Sequence, residues 1–214
     1  MDWDTLRNRI KTDFDAKNTT REQVLKACRS LVQTSSYIIR SVHRGENEEA
    51  MRLMEQAGEL SGSITHMTRD HPEVYTAGFV HDAQKEYAEA RATHALINGE
   101  PLPEPEELGV EYPAYLNGLG EVVGELRRSI LDLIREGHLE RGDELLSYMD
   151  DIYYLLVSFD YPDAITGGLR RTTDMARAIM ERTRGDLTTT LRQSKLKEAI
   201  YELEENLKRA SDKG

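Results

Sequence analysis

Apolar positions along the chain recur at steps of three and four, the mark of helices that each bury one stripe. Val24, Cys28, Leu31, Ser35, Ile38 and Val42 draw such a stripe, and Thr20 to Gln23 fits a capping box, so a first long helix is predicted from about Thr20 to Arg44-Gly45. Met51, Met54, Ala57, Leu60, Ile64 and Met67 mark a second helix, closed before His71-Pro72 because a residue preceding proline is pushed out of the α region. Pro72 suits the first turn of a third helix reaching about Asn98. Leu116, Leu119, Val123, Leu126, Ile130 and Leu133 line a fourth, and Leu139 to Phe159 form a fifth, rich in tyrosine. Pro162 and Gly167-Gly168 loosen the start of a sixth that runs toward Thr183, and Arg184-Gly185-Asp186 turns into a last one ending near Ala210. No segment alternates with the period of a strand. The expectation is an all-α fold of about seven long helices in one helical-bundle domain spanning 1–214. Its one convincing loop is an acidic, Pro-rich stretch at 99–113.

Composition narrows the function. The chain carries 28 Lys and Arg against 39 Asp and Glu, a net charge of −11, which argues against a wholly basic nucleic-acid binder but leaves room for a locally basic surface. With 38% hydrophobic residues it can fill a core. The lone Cys28 cannot form an intrachain disulfide and favours a reducing compartment. The N-terminus is too polar for a signal peptide, and the longest apolar run, Ile152 to Val157, is far short of the ~20 residues a membrane span needs. An unanchored, cytoplasmic protein is expected. Gly-rich phosphate loops, paired-Cys motifs and Gly-x-Ser-x-Gly elbows are all missing.

Two carboxylate pairs carry the candidate chemistry. Glu86 and Glu89 lie three apart on the third helix, about 60° around its axis, so both reach one point. Glu121 and Glu125 lie four apart on the fourth helix, opposite its apolar stripe, where the pattern with Asp132 predicts a face toward water. Two readings stand at this point. Four hard oxygen donors on two helices suit Mg²⁺ or Mn²⁺, which neutralise phosphoryl charge and activate water. Such pairs are equally ordinary solvated surface in so acidic a chain. A di-iron bundle would need Glu-x-x-His motifs, and there is none. The six histidines show no metal-like spacing and read as polar surface residues, with His81, one turn before the acidic strip, as the exception. From Arg170 to Lys197, eight basic side chains face three acidic ones, a local excess that either tracks a phosphate backbone or pairs with a neighbouring subunit.

Several segments together resemble the translin family. Arg21-x-x-Val24, Leu31-Val-Gln-Thr34, Ile38-Ile39 and His43-Arg-Gly45 are similar to its first long helix. Tyr115-Leu-x-Gly118 with Gly124-Glu-Leu-Arg127 is similar to its central helix, and Leu169-Arg-Arg-x-x-Asp174 with Arg184-Gly185 to its C-terminal part. The similarity covers roughly residues 20 to 190. The resemblance implies an octameric shell that binds single- or double-stranded nucleic acid inside, and, for the Trax branch, a Mg²⁺-dependent (or Mn²⁺-dependent) endoribonuclease leaving 5′-phosphate and 3′-hydroxyl ends. Glu86-Tyr-Ala-Glu89 matches the Trax acidic motif and Glu125 matches the second acid of the other pair, while Glu121 stands where the family pattern has Asp. The resemblance thus implies metal ligation and catalysis by Glu86, Glu89, Glu121 and Glu125, and Arg170, Arg171, Arg177 and Arg184 of the basic segment are the candidate RNA contacts. The rival expectations are a translin-like binding protein for RNA or single-stranded DNA without activity, and a subunit that works only beside a translin-like partner.

Overall fold

The computed structural model describes residues 2–211, and among them every regular element is a helix. In chain order these are α1 (Trp3–His43), α2 (Asn47–Met67), α3 (Pro72–Tyr75), α4 (Gly78–Asn98), α5 (Pro105–Leu108), α6 (Tyr112–Glu136), α7 (Leu139–Val157), α8 (Asp163–Thr166) and α9 (Leu169–Ser211). The outermost residues of the expected 1–214 span, 1 and 212–214, lie outside that range. The all-α class is as the periodicity predicts, with six long helices and three single turns. Among the described residues no helix is long and apolar enough to cross a membrane.

Four local expectations are corrected. α1 starts at Trp3, not near Thr20: the Asp2 carboxylate accepts from the backbone N–H groups of Asp4 and Thr5 at 3.1 and 3.3 Å. With no Gly or Pro between Trp3 and Thr20, the helix passes through the capping-box sequence, whose side chains cap only where a helix begins. The expected third helix is two, α3 and α4, because Ala77 takes an extended backbone between them and both Val74 and Val80 then reach the core. The expected last two helices are one. Gly185 costs a helix interior about 1 kcal/mol, too little to break α9 while Thr183 and Leu187 share its buried face. The 99–113 stretch holds α5, opened by a capping box between Glu104 and Glu107, and Pro113 sits inside the first turn of α6.

α4 and α6 form the central pair. α4 lies between α1 and α6, α2 covers the far side of α1, and α7 and α9 cover the rest of α6. Small residues make this possible. On α4, Ala83, Ala88, Ala90, Ala92 and Ala95 are all buried, so neighbours approach on more than one face. On α6, a Cβ at Gly118 would lie 2.7 Å from the Lys85 carbonyl oxygen and 3.1 Å from the Glu89 backbone nitrogen, while one at Gly120 would run into the Thr172 methyl of α9. Two residues apart on a helix means about 200° around the axis, so the two glycines admit neighbours from opposite sides.

Polar ties lock the periphery. Asn117 of α6 donates to the Pro113 and Thr166 carbonyls, both at 2.8 Å, and accepts from Thr172 at 2.6 Å. Arg127 joins α6 to α9 through Thr183 at 3.0 Å and Asp186 at 2.8 Å. Arg141 of α7 donates to the Leu96 and Ile97 carbonyls at the end of α4.

The ends of the two longest helices carry apolar side chains without a cover. Trp3, Ile10 and Phe14 are exposed at the start of α1, and Leu196, Ile200, Leu203 and Leu207 are exposed along the end of α9 at steps of four, three and four. On α7, by contrast, Met149 is fully buried and Tyr148 and Tyr153 pack on the core, leaving Tyr154 as the exposed ring.

Gly118→Ala should lower the melting temperature by roughly 4–10 °C, because a methyl pressed on α4 backbone costs ~1–3 kcal/mol with nothing flexible to yield. Gly124→Ala, with open space around its Cβ position, should leave it unchanged or raise it slightly. Thermal denaturation of both variants checks this, and equal stability would remove Gly118 as the contact that sets the α4–α6 spacing.

Candidate metal centre

The backbone contact at Gly118 decides what faces what. Gly118 rests between Lys85 and Glu89 of α4, and Glu121 follows it by almost one turn, so the Glu121 side chain meets the acidic strip of α4. One oxygen each from Glu86, Glu89 and Glu121 lies within 4.8 Å of the other two. Glu89 is buried at 8% exposure, and Glu86 and Glu121 are half-buried. The Lys85 ammonium donates to Glu121 Oε1 at 2.6 Å and lies 3.4 Å from Glu86 Oε1.

Glu125 is engaged elsewhere. The imidazole of His43, in the last turn of α1, meets its carboxylate at 2.5 Å through Nε2, and Arg128 stands at 3.9 Å. The other ring nitrogen of His43 lies 3.4 Å from the Ser129 hydroxyl. The structure therefore brings together three of the four expected carboxylates and holds the fourth beside them.

Electrostatics follow from this geometry. Burial, reinforced by the charges of Glu121, Glu86 and Glu125, pushes Glu89 up to about 8, with Lys85 opposing. The hydrogen bond from His43 holds Glu125 below the usual carboxylate range against its own burial. Burial works to lower the Lys85 ammonium, but its hydrogen bond to Glu121 and the charges of Glu121 and Glu86 together outweigh that and raise it. An all-oxygen donor set around a buried, charge-starved carboxylate fits a hard divalent cation such as Mg²⁺ or Mn²⁺.

The predicted water-facing side of α6 is corrected here. Glu121 and Glu125 are partly covered by α4 and α1, since Gly118 lets α4 approach that side, and Asp132, paired with Arg135 at 2.9 Å, is the most exposed of the three. His81 is not in the cluster; its ring lies against Gly167, with Nε2 buried and unpartnered. Two residues of the site escaped the sequence reading. Lys85 lies four before Glu89, a spacing that places both on one strip, and that signal was available. His43 reaches Glu125 across 82 positions, which no local pattern reveals.

The four arginines are all exposed on α9. Arg170, Arg177 and Arg184 recur every seven residues along one strip, with Arg171 about 100° away. Arg170 pairs with Asp160 at 3.2 Å, Arg177 with Glu181 at 3.0 Å, and Arg184 with Asp150 of α7. Arg171 forms no ion pair among the described residues.

The overall fold has counterparts among solved structures. No protein-family model matches the chain. An uncharacterized protein of Methanocaldococcus jannaschii is 28% identical over 185 residues, which cover 86% of this chain and 82% of that protein. The structure of the AfC3PO–duplex RNA complex is similar at a TM-score of 0.78 and 34% identity, over 89% of this chain and 96% of the other. The crystal structure of AfC3PO is similar at a TM-score of 0.77 and 32% identity, over 89% and 97%. Apo-NeC3PO shares the fold at a TM-score of 0.77 and 21% identity, over 86% and 96%.

A carboxyl whose folded pKa is raised stabilises the fold while protonated, and that contribution is lost as pH climbs from its unfolded value of about 4.5 through about 8. In EDTA the wild type should therefore lose stability between pH 5 and 9, and Glu89→Gln should lose less. We expect the variant to melt at least ~4 °C higher than wild type at pH 9 and within ~1 °C of it at pH 5. Parallel melting curves across that range would contradict the burial of charge at Glu89.

Proposed function

The chain belongs to the translin family, and on that premise we propose that it is a metal-dependent endoribonuclease of the Trax type, cleaving RNA inside a homo-oligomeric shell. The observation that carries the reading is the meeting of Glu86, Glu89 and Glu121 across α4 and α6, at the positions of the family's acidic motifs. Similarity to a protein solved with duplex RNA supports RNA as the substrate. Buried, unpaired Cys28 suits the reducing cytoplasm.

Glu86, Glu89 and Glu121 would hold Mg²⁺ or Mn²⁺, with Glu125 adding negative charge beside them. The bound cation would supply charge neutralisation at a phosphoryl oxygen and a water of lowered pKa. The chain's own contribution is positional. Glu89 is fixed in the α4–α6 interface, where burial disfavours its unpaired charge and a bound cation would favour the ionised carboxylate. His43 keeps Glu125 ionised and oriented from a third helix. Glu121, one methylene longer than the family's Asp, reaches across from α6 to the α4 carboxylates. The arginine strip of α9 provides cations for a phosphate backbone, Arg184 by exchanging its Asp150 partner and Arg170 its Asp160 partner.

Assembly follows from the uncovered apolar positions on α1 and α9, which a second copy would bury. Light scattering at micromolar concentration should give a closed homo-oligomer, an octamer by family resemblance, and a monomeric mass would sink the shell.

The second reading, a nucleic-acid-binding protein without cleavage, is favoured by one observation: Lys85 already neutralises part of the carboxylate cluster. Cleavage of labelled single-stranded RNA separates the two. With Mg²⁺ or Mn²⁺ the wild type should cut, EDTA should stop it, and Glu86→Gln and Glu89→Gln should each cut at least ~100-fold more slowly while still binding RNA. Binding without cutting, rescued by an added translin-like subunit, would identify a hetero-assembly. Binding without cutting under every condition would favour the second reading. Arg170→Ala with Arg171→Ala should weaken RNA binding and flatten its salt dependence. Unchanged affinity in an intact oligomer would return the strip to subunit packing.

A further inference from the structure

We propose that Lys85 is a built-in counter-ion that holds the carboxylate cluster together in the metal-free protein and competes with the divalent cation for it. The inference rests on the reading of the cluster as a metal site. Its ammonium contacts carboxylates on two helices, Glu121 of α6 at 2.6 Å and Glu86 of α4 at 3.4 Å, and so occupies the side of the cluster where these two oxygens converge. This differs from the other cation near the acidic residues: Arg128 is mostly exposed and approaches only Glu125.

The geometry makes Lys85 well suited to being displaced. Its backbone is clamped, since its carbonyl oxygen lies under Gly118. Its side chain is 20% exposed, so part of the flexible four-carbon stem already meets solvent and can turn outward by changing rotamer. A cation placed among Glu86, Glu89 and Glu121 would lie close to that ammonium in a poorly screened interface, and like charges there repel strongly. Loading therefore requires the ammonium to leave, and the cost of breaking its contacts is subtracted from metal affinity. In return, the metal-free fold does not have to tolerate Glu86 and Glu121 uncompensated beside the buried Glu89 at one helix crossing.

Binding of Mn²⁺, followed by the loss of its free-ion electron paramagnetic resonance signal, tests the inference without any activity measurement. Intact wild type is compared with Lys85→Met, which removes the charge at similar length, and Lys85→Arg, which keeps it. Lys85→Gln, which can still donate to Glu121, serves if the Met variant does not fold. We expect the uncharged variant to bind Mn²⁺ at least ~10-fold more tightly than wild type, and Lys85→Arg to bind within ~3-fold of it. In EDTA the uncharged variant should also melt lower than wild type, with the order reversed in saturating Mn²⁺. Saturable binding by wild type with equal or weaker binding by the uncharged variant would overturn the counter-ion role and leave the metal site standing. No saturable binding by wild type or the uncharged variant would overturn the metal site itself, and the counter-ion role with it.

Discussion

The close passage of α6 over α4 at Gly118 is the contact on which the rest of the molecule depends. It is a backbone-to-backbone approach, so no side chain can adjust to replace it. It sets the spacing of the central pair and brings Glu121 opposite Glu86 and Glu89. It also partly covers a helix face that would otherwise meet water. Gly120, on the opposite side of α6, does the same for α9, and Asn117 and Arg127 then tie α6 to α8 and α9. Small residues at these crossings explain why α4 and α6 are buried around much of their circumference despite a pattern that promises one buried stripe each.

That packing creates an electrostatic debt at the centre of the fold. Glu86, Glu89 and Glu121 come together, with Glu125 beside them, where solvent screening is reduced, and the protein answers with three separate devices. Lys85 sits between Glu86 and Glu121, His43 reaches in from α1 to Glu125, and Glu89 retains a proton at neutral pH. A purely structural crossing would be better served by apolar residues of similar volume. The persistence of the charges at the crossing of the two central helices is what separates this cluster from the many solvated acidic pairs elsewhere on the surface, such as those of the first turn of α2.

Much of the fold was legible residue by residue. Val24, Cys28, Leu31, Ser35, Ile38 and Val42 form one buried line on α1 as their spacing predicts, and Gly45, Gly99 and Gly137 end helices in the left-handed conformation open to glycine. The misreadings have two causes. Gly185 and the stretch after Pro72 carry local signals for a break and a continuation, and both were overruled by which face had to remain in the core; the helix start signalled at Thr20 was overruled by the Asp2 cap and the uninterrupted helical sequence that follows it. Met51, counted within an apolar stripe, is exposed because α2 lies at the outside of the bundle and packs mainly on α1.

By itself the sequence determined the helical class, the stripe each helix buries, and the pairing of Glu86 with Glu89 and of Glu121 with Glu125, because positions three or four apart share a helix face whatever the surroundings. Only the tertiary structure decided that Glu121 crosses to α4 while Glu125 turns to His43, that Lys85 enters the cluster, and that Glu89 is the carboxylate held protonated. These depend on how far apart two helix axes lie and on how little water remains between them. Both are consequences of a glycine meeting a backbone 33 positions away in the chain, a contact that no local pattern contains.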